Sequence, residues 1–156
     1  ATVSCGAQRW HPAGGAMFIA TSGSWAGSSR PWDSGDAGTV PDDGWTGTAY
    51  DTVGGLGHLG ITVGCIAGRP VRYVQGAART VAPGATVTVT ASCGADEQVV
   101  GGGQSMTGPA RDTRAVASRP RDGSDANTIP ENGWTAKVHN VGVATRKVRA
   151  WASCLG

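Results

Sequence analysis

The sequence VPDDGW at residues 40–45 recurs as IPENGW at residues 129–134, an offset of 89 residues. In the pattern x-P-[DE]-[DN]-G-W, proline fixes φ at the second turn position, and the acidic or amide residues favour turn geometry. We expect the glycine to supply a positive φ that returns the chain to a strand. A chain of 156 residues with one hairpin turn present twice is therefore predicted to contain two copies of one module.

The match extends to both sides of the two turns. SRPWDSGDAGTVPDDGWTG, from Ser29, lies over SRPRDGSDANTIPENGWTA, from Ser118, at the same offset. Further upstream, Met17 lies over Met106 at the same offset, and one inserted residue brings Cys5 over Cys93. Self-similarity of this length indicates a tandem duplication.

The duplication predicts three segments. They are repeat 1 at residues 1–68, a connecting segment of part strand and part linker at 69–85, and repeat 2 at 86–156. Because so short a module buries little core alone, we expect the copies to pack about a pseudo-twofold axis. One sandwich or barrel-like domain and two separate lobes both stay open.

The four cysteines are Cys5, Cys65, Cys93 and Cys154. They form no C-x-x-C pair and no familiar zinc pattern with histidine, so two disulfides are the better interpretation. Of the three possible pairings, only Cys5–Cys65 with Cys93–Cys154 keeps each bridge inside one copy, and we favour it. Each bridge would close a loop of about 60 residues, worth about 4 kcal/mol on the chain-entropy estimate.

Local patterns predict strands throughout the chain. ATVTVTAS at residues 85–92 alternates apolar and polar residues, and no stretch has a helical period with caps. Glycine, at 26 residues, and proline punctuate the chain as they do in sandwiches and barrels. The two closing strands each put four apolar residues on one face: Leu59, Ile61, Val63 and Cys65 in repeat 1, and Val148, Ala150, Ala152 and Cys154 in repeat 2. The predicted fold class is all-β and antiparallel.

Charge and hydropathy exclude two classes of partner. The formal net charge is +2 and the arginines are scattered, whereas nucleic-acid binding needs a concentrated basic stripe. No apolar run reaches the roughly 18–20 residues of a membrane helix. ATVSCG begins on a strand-like segment, as a mature chain does after removal of a signal peptide. Together with the expected disulfides, this predicts a secreted, extracellular protein.

Repeat 2 contains CGADEQVVGGG from Cys93, then PENGWTAKVHNVG, then VRAWASC. This order resembles a Cys-bracketed all-β repeat of secreted proteins from high-GC bacteria, written C…V-x-G-G-G…[DN]-G-W…N-x-G…aromatic-A-x-C. The resemblance covers most of 93–154 and, more loosely, 5–65. It implies export and a disulfide-closed β-module, and no particular activity. Repeat 1 departs from the pattern at RWHPAGGAM and ITVGC, where we expect any added function.

Catalytic motifs are absent from the sequence. There is no G-x-S-x-G elbow, and the cysteines are expected to be oxidised. His11, His58 and His139 are predicted to be surface residues, although a triad assembled in space stays open. The favoured interpretation is that the protein is not an enzyme.

The acidic turns offer a second possible chemistry. Their residues are Asp33, Asp36, Asp42 and Asp43 in repeat 1, over Asp122, Asp125, Glu131 and Asn132 in repeat 2. Oxygen-rich loops can hold Ca²⁺, but this spacing does not match a calcium loop. We therefore expect turn-forming side chains or partners for Arg30 and Arg119, and no cofactor; calcium stays a weaker alternative.

Tryptophan is the favoured aromatic residue, with six against one phenylalanine and two tyrosines. Trp45 and Trp134 repeat between the copies and are predicted to anchor the core. Tryptophans without a repeated partner are candidates for a binding surface, because indole offers a flat apolar face and one donor. Those candidates are Trp10, Trp25 and Trp32 beside the Gly/Ser-rich loop of repeat 1, and Trp151, expected to be an exposed aromatic in repeat 2. They would equally serve to cover the end of a lean core.

These residues predict a secreted, non-catalytic protein that binds carbohydrate or cell-wall polysaccharide. The predicted ligand-binding residues are Trp10, Trp25, Trp32, Asp33, Asp36 and Trp151. The first alternative is a proteinaceous inhibitor that presents SGSWAGSSRPWDSGDAG to a secreted hydrolase. The second is a small secreted hydrolase that uses a carboxylate or histidine. The expected partner is accordingly a polysaccharide or a secreted protein.

Overall fold

A computed structural model describes residues 1–6, 10–19, 23–34, 43–52, 58–123 and 131–156. Within these ranges the chain forms twelve strands and one short 3-10 turn, Ala110–Asp112. The strands are β1 (Thr2–Ser4), β2 (Trp10–Ile19), β3 (Ser24–Trp32), β4 (Gly44–Asp51), β5 (Leu59–Ala67), β6 (Val71–Gln75), β7 (Arg79–Val81), β8 (Thr86–Ser92), β9 (Gln98–Met106), β10 (Thr113–Arg121), β11 (Gly133–Asn140) and β12 (Arg146–Leu155). Every pairing is antiparallel, so the predicted class is confirmed. None of the described helical structure has the length and apolar character needed to span a membrane.

The described strands form three sheets. The order of the largest is β1-β4-β3-β9-β12-β6, with β7 also pairing with β12. A three-stranded sheet has the order β10-β11-β8, and β2 pairs with β5. Strand β3 of repeat 1 joins β9 of repeat 2 where Ser29 lies opposite Gln104. The largest sheet, the seven-stranded sheet, therefore spans both repeats. The connecting segment supplies its strands β6 and β7.

The two copies of the turn place their tryptophans in the same way. Trp45 Nε1 donates to Ser29 Oγ at 2.9 Å, and Trp134 Nε1 donates to Ser118 Oγ at 2.8 Å. Both hydrogen bonds cross from the strand after the turn to the strand before it. These contacts agree with a repeated module, whereas its origin by duplication and the pseudo-twofold packing stay predictions.

The registers of β2 and β9 differ from the sequence overlay. Gly15 lies opposite Val63, and Gly102 lies opposite Ala152, which is 89 residues after Val63. Gly15 therefore corresponds to Gly102, and by the same registers Met17 corresponds to Gln104 instead of Met106. The glycines of RWHPAGGAM thus occupy the place of the V-x-G-G-G glycines, and repeat 1 departs from the pattern less than its sequence suggests.

The repeated turn requires glycine for a steric reason that the sequence pattern does not predict. Gly44 does not have a positive φ, and Gly133, at 158°, is close to extended backbone. A Cβ on Gly44 would lie 2.1 Å from Val3 O, and one on Gly133 would lie 2.2 Å from Ala91 O. Close approach of the neighbouring strand therefore requires glycine at both positions, and the predicted positive φ is wrong for Gly44. Residues 40–42 and 129–130 lie outside the described ranges.

The main core lies between the three-stranded sheet and β12. Its buried residues are Val81, Val89, Ala91, Ala136, Val138, Val148, Ala150, Ala152 and Cys154. The predicted inner face of β12 is confirmed, because all four of its residues belong to this core. Trp45 is fully buried, as predicted, whereas Trp134 is half-buried and packs against the core from its edge.

Both predicted disulfides are confirmed. Cys5 pairs with Cys65, and Cys93 pairs with Cys154. Disulfides persist in oxidising compartments, so the two bridges point to an extracellular protein.

Candidate functional site

A groove of about 530 Å³ lies on the face of the seven-stranded sheet that points away from Trp45. Repeat 1 lines it with Ser28 and Arg30 from β3, and with Thr46 and Thr48 from β4. Successive side chains of a strand point to opposite faces, so these positions are outward when Trp45 is inward. We call this surface the sheet groove.

Repeat 2 and the connecting segment complete the sheet groove. Ser105 comes from β9, Arg149 and Trp151 come from β12, and Gln75 comes from β6. Arg149 lies opposite Ser105, and Trp151 lies opposite Gln75, which brings these four side chains to one face. The sheet groove therefore exists only where strands of both repeats lie side by side.

Two guanidinium groups give the sheet groove a positive charge. Arg149 Nη1 donates to Gln75 Oε1 at 2.8 Å, and Arg30 Nη1 donates to Pro31 O at 3.3 Å. Both acceptors are neutral. Among the described residues no carboxylate lies within 4.0 Å of either guanidinium, and none lines the sheet groove. The remaining N–H groups of both arginines can serve a ligand, since each guanidinium has five donors.

Trp151 forms part of the groove floor and is not the exposed aromatic that the sequence predicts. Its face is the one expected, opposite Ala150 and Ala152, but the residue is only 7% exposed. Strands β9 and β6 flank it on both sides, and its Nε1 donates to Ser105 Oγ at 3.1 Å. Because strands lie on both sides of β12, they cover the Trp151 indole. On an edge strand the indole would have been exposed.

Trp25 holds the two repeats together. Its ring centroid lies 5.1 Å from that of Tyr50, with the planes tilted by 54°. Its Nε1 donates to Ala110 O at 3.2 Å, in the 3-10 turn of repeat 2. Because Ala110 lines the sheet groove, Trp25 positions one of its walls.

The other predicted residues of repeat 1 lie in different places. Trp32 ends β3 on the same face as Arg30, two residues further along, and is half-buried; Asp33 follows it and is also half-buried. Trp25 and Trp32 are at opposite ends of β3, about 23 Å apart at the strand rise. Trp10 is 46% exposed on β2, outside the seven-stranded sheet. Asp36 lies outside the described residues.

Of the predicted set, Trp25, Trp32 and Trp151 therefore share a face with the sheet groove, because the bulge between Ala26 and Ser29 puts Trp25, opposite Tyr50, on the side of Thr46 and Thr48. The predicted aromatic residues do not form one continuous surface.

The acidic turn residues that can be described have structural roles. Asp43 Oδ2 accepts hydrogen bonds from Ser34 N and Ser34 Oγ, both at 2.6 Å. The bond from the Ser34 hydroxyl, and to a smaller extent the bond from the Ser34 backbone amide, lowers the pKa of Asp43 below its ordinary value of 3.8. In repeat 2 the Asn132 side chain accepts from Gly123 N in the same way. The expectation of turn-forming side chains is thus confirmed for this pair, whereas Asp36, Asp42 and Asp125 lie outside the described residues.

Potential metal ligands come together at one place in the described ranges. They are Cys93, Glu97 and Cys154, whose ligand atoms lie within 4.8 Å of one another. Both sulfurs form the disulfide, and the Glu97 carboxylate pairs with Arg72. This group is a structural cluster, and the described residues define no ligand set for the calcium alternative.

The histidines occupy separate positions. His139 Nδ1 lies 3.0 Å from Thr86 Oγ1 across the three-stranded sheet. His58 is exposed and lines a small cavity of about 120 Å³, to which Ser24 and Asp51 also contribute. Ser24 and Asp51 are cross-strand partners of β3 and β4. The residue types of a hydrolytic triad are therefore brought to one cavity in repeat 1.

Sequence reasoning missed most of the sheet groove. A usable signal was present in the alternation of β4, where Thr46 and Thr48 have the opposite parity to Trp45. The contributions of Ser28 and Arg30 depend on the register of β3 with β4, which a bulge between Ala26 and Ser29 interrupts. The contribution of Gln75 had no such signal, because it depends on β6 pairing with β12.

Comparisons of the chain with protein-family models, with curated proteins and with solved structures find no match.

Proposed function

We propose that this protein is a secreted, non-catalytic binding protein that holds a polysaccharide in the sheet groove. The observation that carries the proposal is the composition of the groove, in which hydroxyl, amide and guanidinium groups from five neighbouring strands face one open channel. Such groups hydrogen-bond to sugar hydroxyls. A volume of about 530 Å³ is ordinary for a ligand site. A polysaccharide of several sugar rings would therefore extend beyond the ends of the groove.

Aromatic residues support the same proposal. Trp32 lies on the groove face beyond Arg30 and offers a ring to a sugar that extends past the guanidinium. Trp151 supplies an apolar floor. The site thus combines apolar surface with directional polar groups, as carbohydrate recognition requires. Two disulfides are consistent with the extracellular setting in which polysaccharides are met.

The test is affinity electrophoresis of the purified protein in gels that contain neutral or acidic polysaccharides, followed by titration calorimetry with each polymer that retards it. Gln75→Ala removes an exposed amide of the groove, and Trp10→Ala removes an exposed aromatic outside it. We expect Gln75→Ala to weaken binding about fivefold, the effect of one lost hydrogen bond. Trp10→Ala should leave it unchanged. Binding that depends on Trp10 and not on Gln75 would place the ligand elsewhere, and no retardation by any polymer would refute the function.

A second candidate function is hydrolysis, favoured by the cavity that Ser24, Asp51 and His58 share. In a triad the serine attacks, the histidine accepts its proton and the aspartate orients the imidazole. A fluorophosphonate probe should then label the protein, and Ser24→Ala should abolish the labelling. Absence of labelling on the wild-type protein excludes a serine hydrolase at this position.

The inhibitor alternative requires residues 22–38 to form a displayed loop, but Ser24–Trp32 form strand β3 between β4 and β9 of the seven-stranded sheet. The expectation of a loop is therefore wrong for this part, and residues 22 and 35–38 lie outside the described ranges. No contact of the described residues favours it over polysaccharide binding.

A further inference from the structure

We infer that the polysaccharide held in the sheet groove is acidic, and that Arg30 and Arg149 pair with its anionic substituents. This inference rests on the proposed function and adds the chemical class of the ligand. The shared chemistry is a carboxylate or sulfate group carried on a sugar ring. Guanidinium groups recognise both through paired, charge-assisted hydrogen bonds.

Within the described ranges, neither of these two arginines has an acidic partner. Elsewhere, Arg72 pairs with Glu97 and Arg146 pairs with Asp112. The groove arginines instead donate to neutral oxygens of Pro31 and Gln75, and each uses one described donor. Arg79 and Arg121 also donate to neutral oxygens, but neither lines the sheet groove. A neutral ligand would leave both charges uncompensated in the complex, whereas an anion would neutralise them.

The placement of the two charges also favours an acidic polymer. Arg149 lies opposite Ser105 on β9, and Ser29 on β3 lies opposite Gln104 on β9. Arg149 is therefore two strands away from Arg30 across the sheet, and it is displaced from Arg30 by two residues in the direction of the strands. With strands about 4.8 Å apart and a rise of about 3.3 Å, the two Cα atoms are about 12 Å apart. Arg30 is half-buried and Arg149 is exposed, so both guanidiniums can be reached. Two charges at this separation suit anions on different sugars of one polymer better than a single small anion.

The repeat supplies a matched control. Arg30 and Arg119 stand in the same S-R-P sequence of the two copies. Arg119 is exposed on β10, in the three-stranded sheet, and does not line the sheet groove. Arg30→Gln and Arg119→Gln therefore remove the same net charge from equivalent positions, and only the first removes it from the site.

The experiment measures affinity for polygalacturonate, for its fully methyl-esterified form and for dextran sulfate, by calorimetry in about 0.15 M salt, where long-range attraction is screened. We expect methyl esterification to lower the affinity for polygalacturonate at least tenfold. Arg30→Gln and Arg149→Gln should each lower it about tenfold, the effect of one charge-assisted hydrogen bond. Arg119→Gln should change it less than twofold. Circular dichroism and the unfolding midpoint of each variant show whether the fold is retained.

The outcomes separate this inference from the proposed function. Equal affinity for the acid and its ester, with no effect of Arg30→Gln or Arg149→Gln, overturns the inference and leaves polysaccharide binding intact. Equal losses in Arg30→Gln and Arg119→Gln also overturn it, because they indicate general charge attraction. Tight binding of dextran sulfate alone, lost in Arg30→Gln, supports the inference with sulfate as the anion. Binding to no acidic or neutral polymer refutes both.

Discussion

Substitution of Gly102 by alanine tests whether the V-x-G-G-G sequence is a packing requirement. A Cβ at Gly102 would lie 2.4 Å from Trp134 Cγ and 2.5 Å from Trp151 O. Ordinary contacts between carbon atoms are about 3.5–4.0 Å, so a neighbour must move by more than 1 Å. Movement of the indole alone would leave the contact with the carbonyl, so both the Trp134 ring and the β9–β12 backbone must shift.

The expected cost follows from what the indole loses. Overpacking of a close-packed site costs about 1–3 kcal/mol, and movement of Trp134 also weakens its hydrogen bond to Ser118, worth about 1 kcal/mol. We expect Gly102→Ala to lower the free energy of unfolding by about 3 kcal/mol. For a chain of this size, that corresponds to a fall in Tm of about 6–12 °C.

Gly64→Ala is the matched control. Gly64 lies on the exposed face of β5, and its Cβ would meet no atom closer than Gly14 O at 3.7 Å. This change should be neutral, or stabilising by a few tenths of a kcal/mol, because alanine restricts the unfolded chain. Urea unfolding followed by far-UV circular dichroism, with the disulfides intact, measures both variants. A loss below about 1 kcal/mol in Gly102→Ala, or an equal loss in both variants, would refute the packing argument.

Three further outcomes concern stability. Replacing both cysteines of Cys93–Cys154 by alanine should lower Tm more than the same change at Cys5–Cys65. The two loops are of similar length, at 61 and 60 residues, so their entropic contributions are similar, but only the first pair includes a core residue, Cys154. Equal losses would contradict this. The Arg72 side chain, and then the Gly94 amide, lower the pKa of Glu97 from 4.5 to about 2. The stability gained from ionised Glu97 should therefore be complete above about pH 4.5 and be lost towards pH 2. Glu97→Gln should abolish that part of the urea-midpoint decline, and an unchanged decline would exclude it. Asn140→Ala should cost about 3 kcal/mol in urea unfolding, because the buried amide donates to two carbonyls and accepts from one amide; a cost below 1 kcal/mol would show that these groups find other partners.

The elements that could be predicted from the sequence are those fixed by short-range pattern or by comparison of the chain with itself. Period-two alternation identified the inner face of β12, and repetition identified Trp45 as a core residue. The same overlay led to the disulfide pairing, since only one of three pairings keeps each bridge within a copy. In each case the deciding information lies within one strand or at one constant offset.

The elements that could not be predicted depend on neighbours distant in the chain. The sequence places glycine in the repeated turn but does not reveal that Val3 approaches Gly44. It places Trp151 on the outer face of β12 but does not reveal that β6 and β9 flank it. The sheet groove depends on Ser29 meeting Gln104, and no local propensity specifies that register.

The asymmetry of the repeats explains why the described structure has one sheet groove and not two. The position in repeat 1 that corresponds to Arg149 is Gly60, 89 residues earlier on β5. A Cβ there would lie 1.8 Å from Phe18 Cζ, so the ring of Phe18 occupies the space in which a guanidinium would lie.

The other half of a second groove is also missing. Arg119 corresponds to Arg30, but its strand β10 pairs with β11 alone among the described strands and does not extend a sheet into repeat 1. Each half of a second groove is therefore either covered or separated from its partner. The module provides the strands, but the site arises at the single junction where β3 meets β9. A change that breaks this junction while leaving both disulfides intact should accordingly remove the proposed polysaccharide binding before it unfolds the main core.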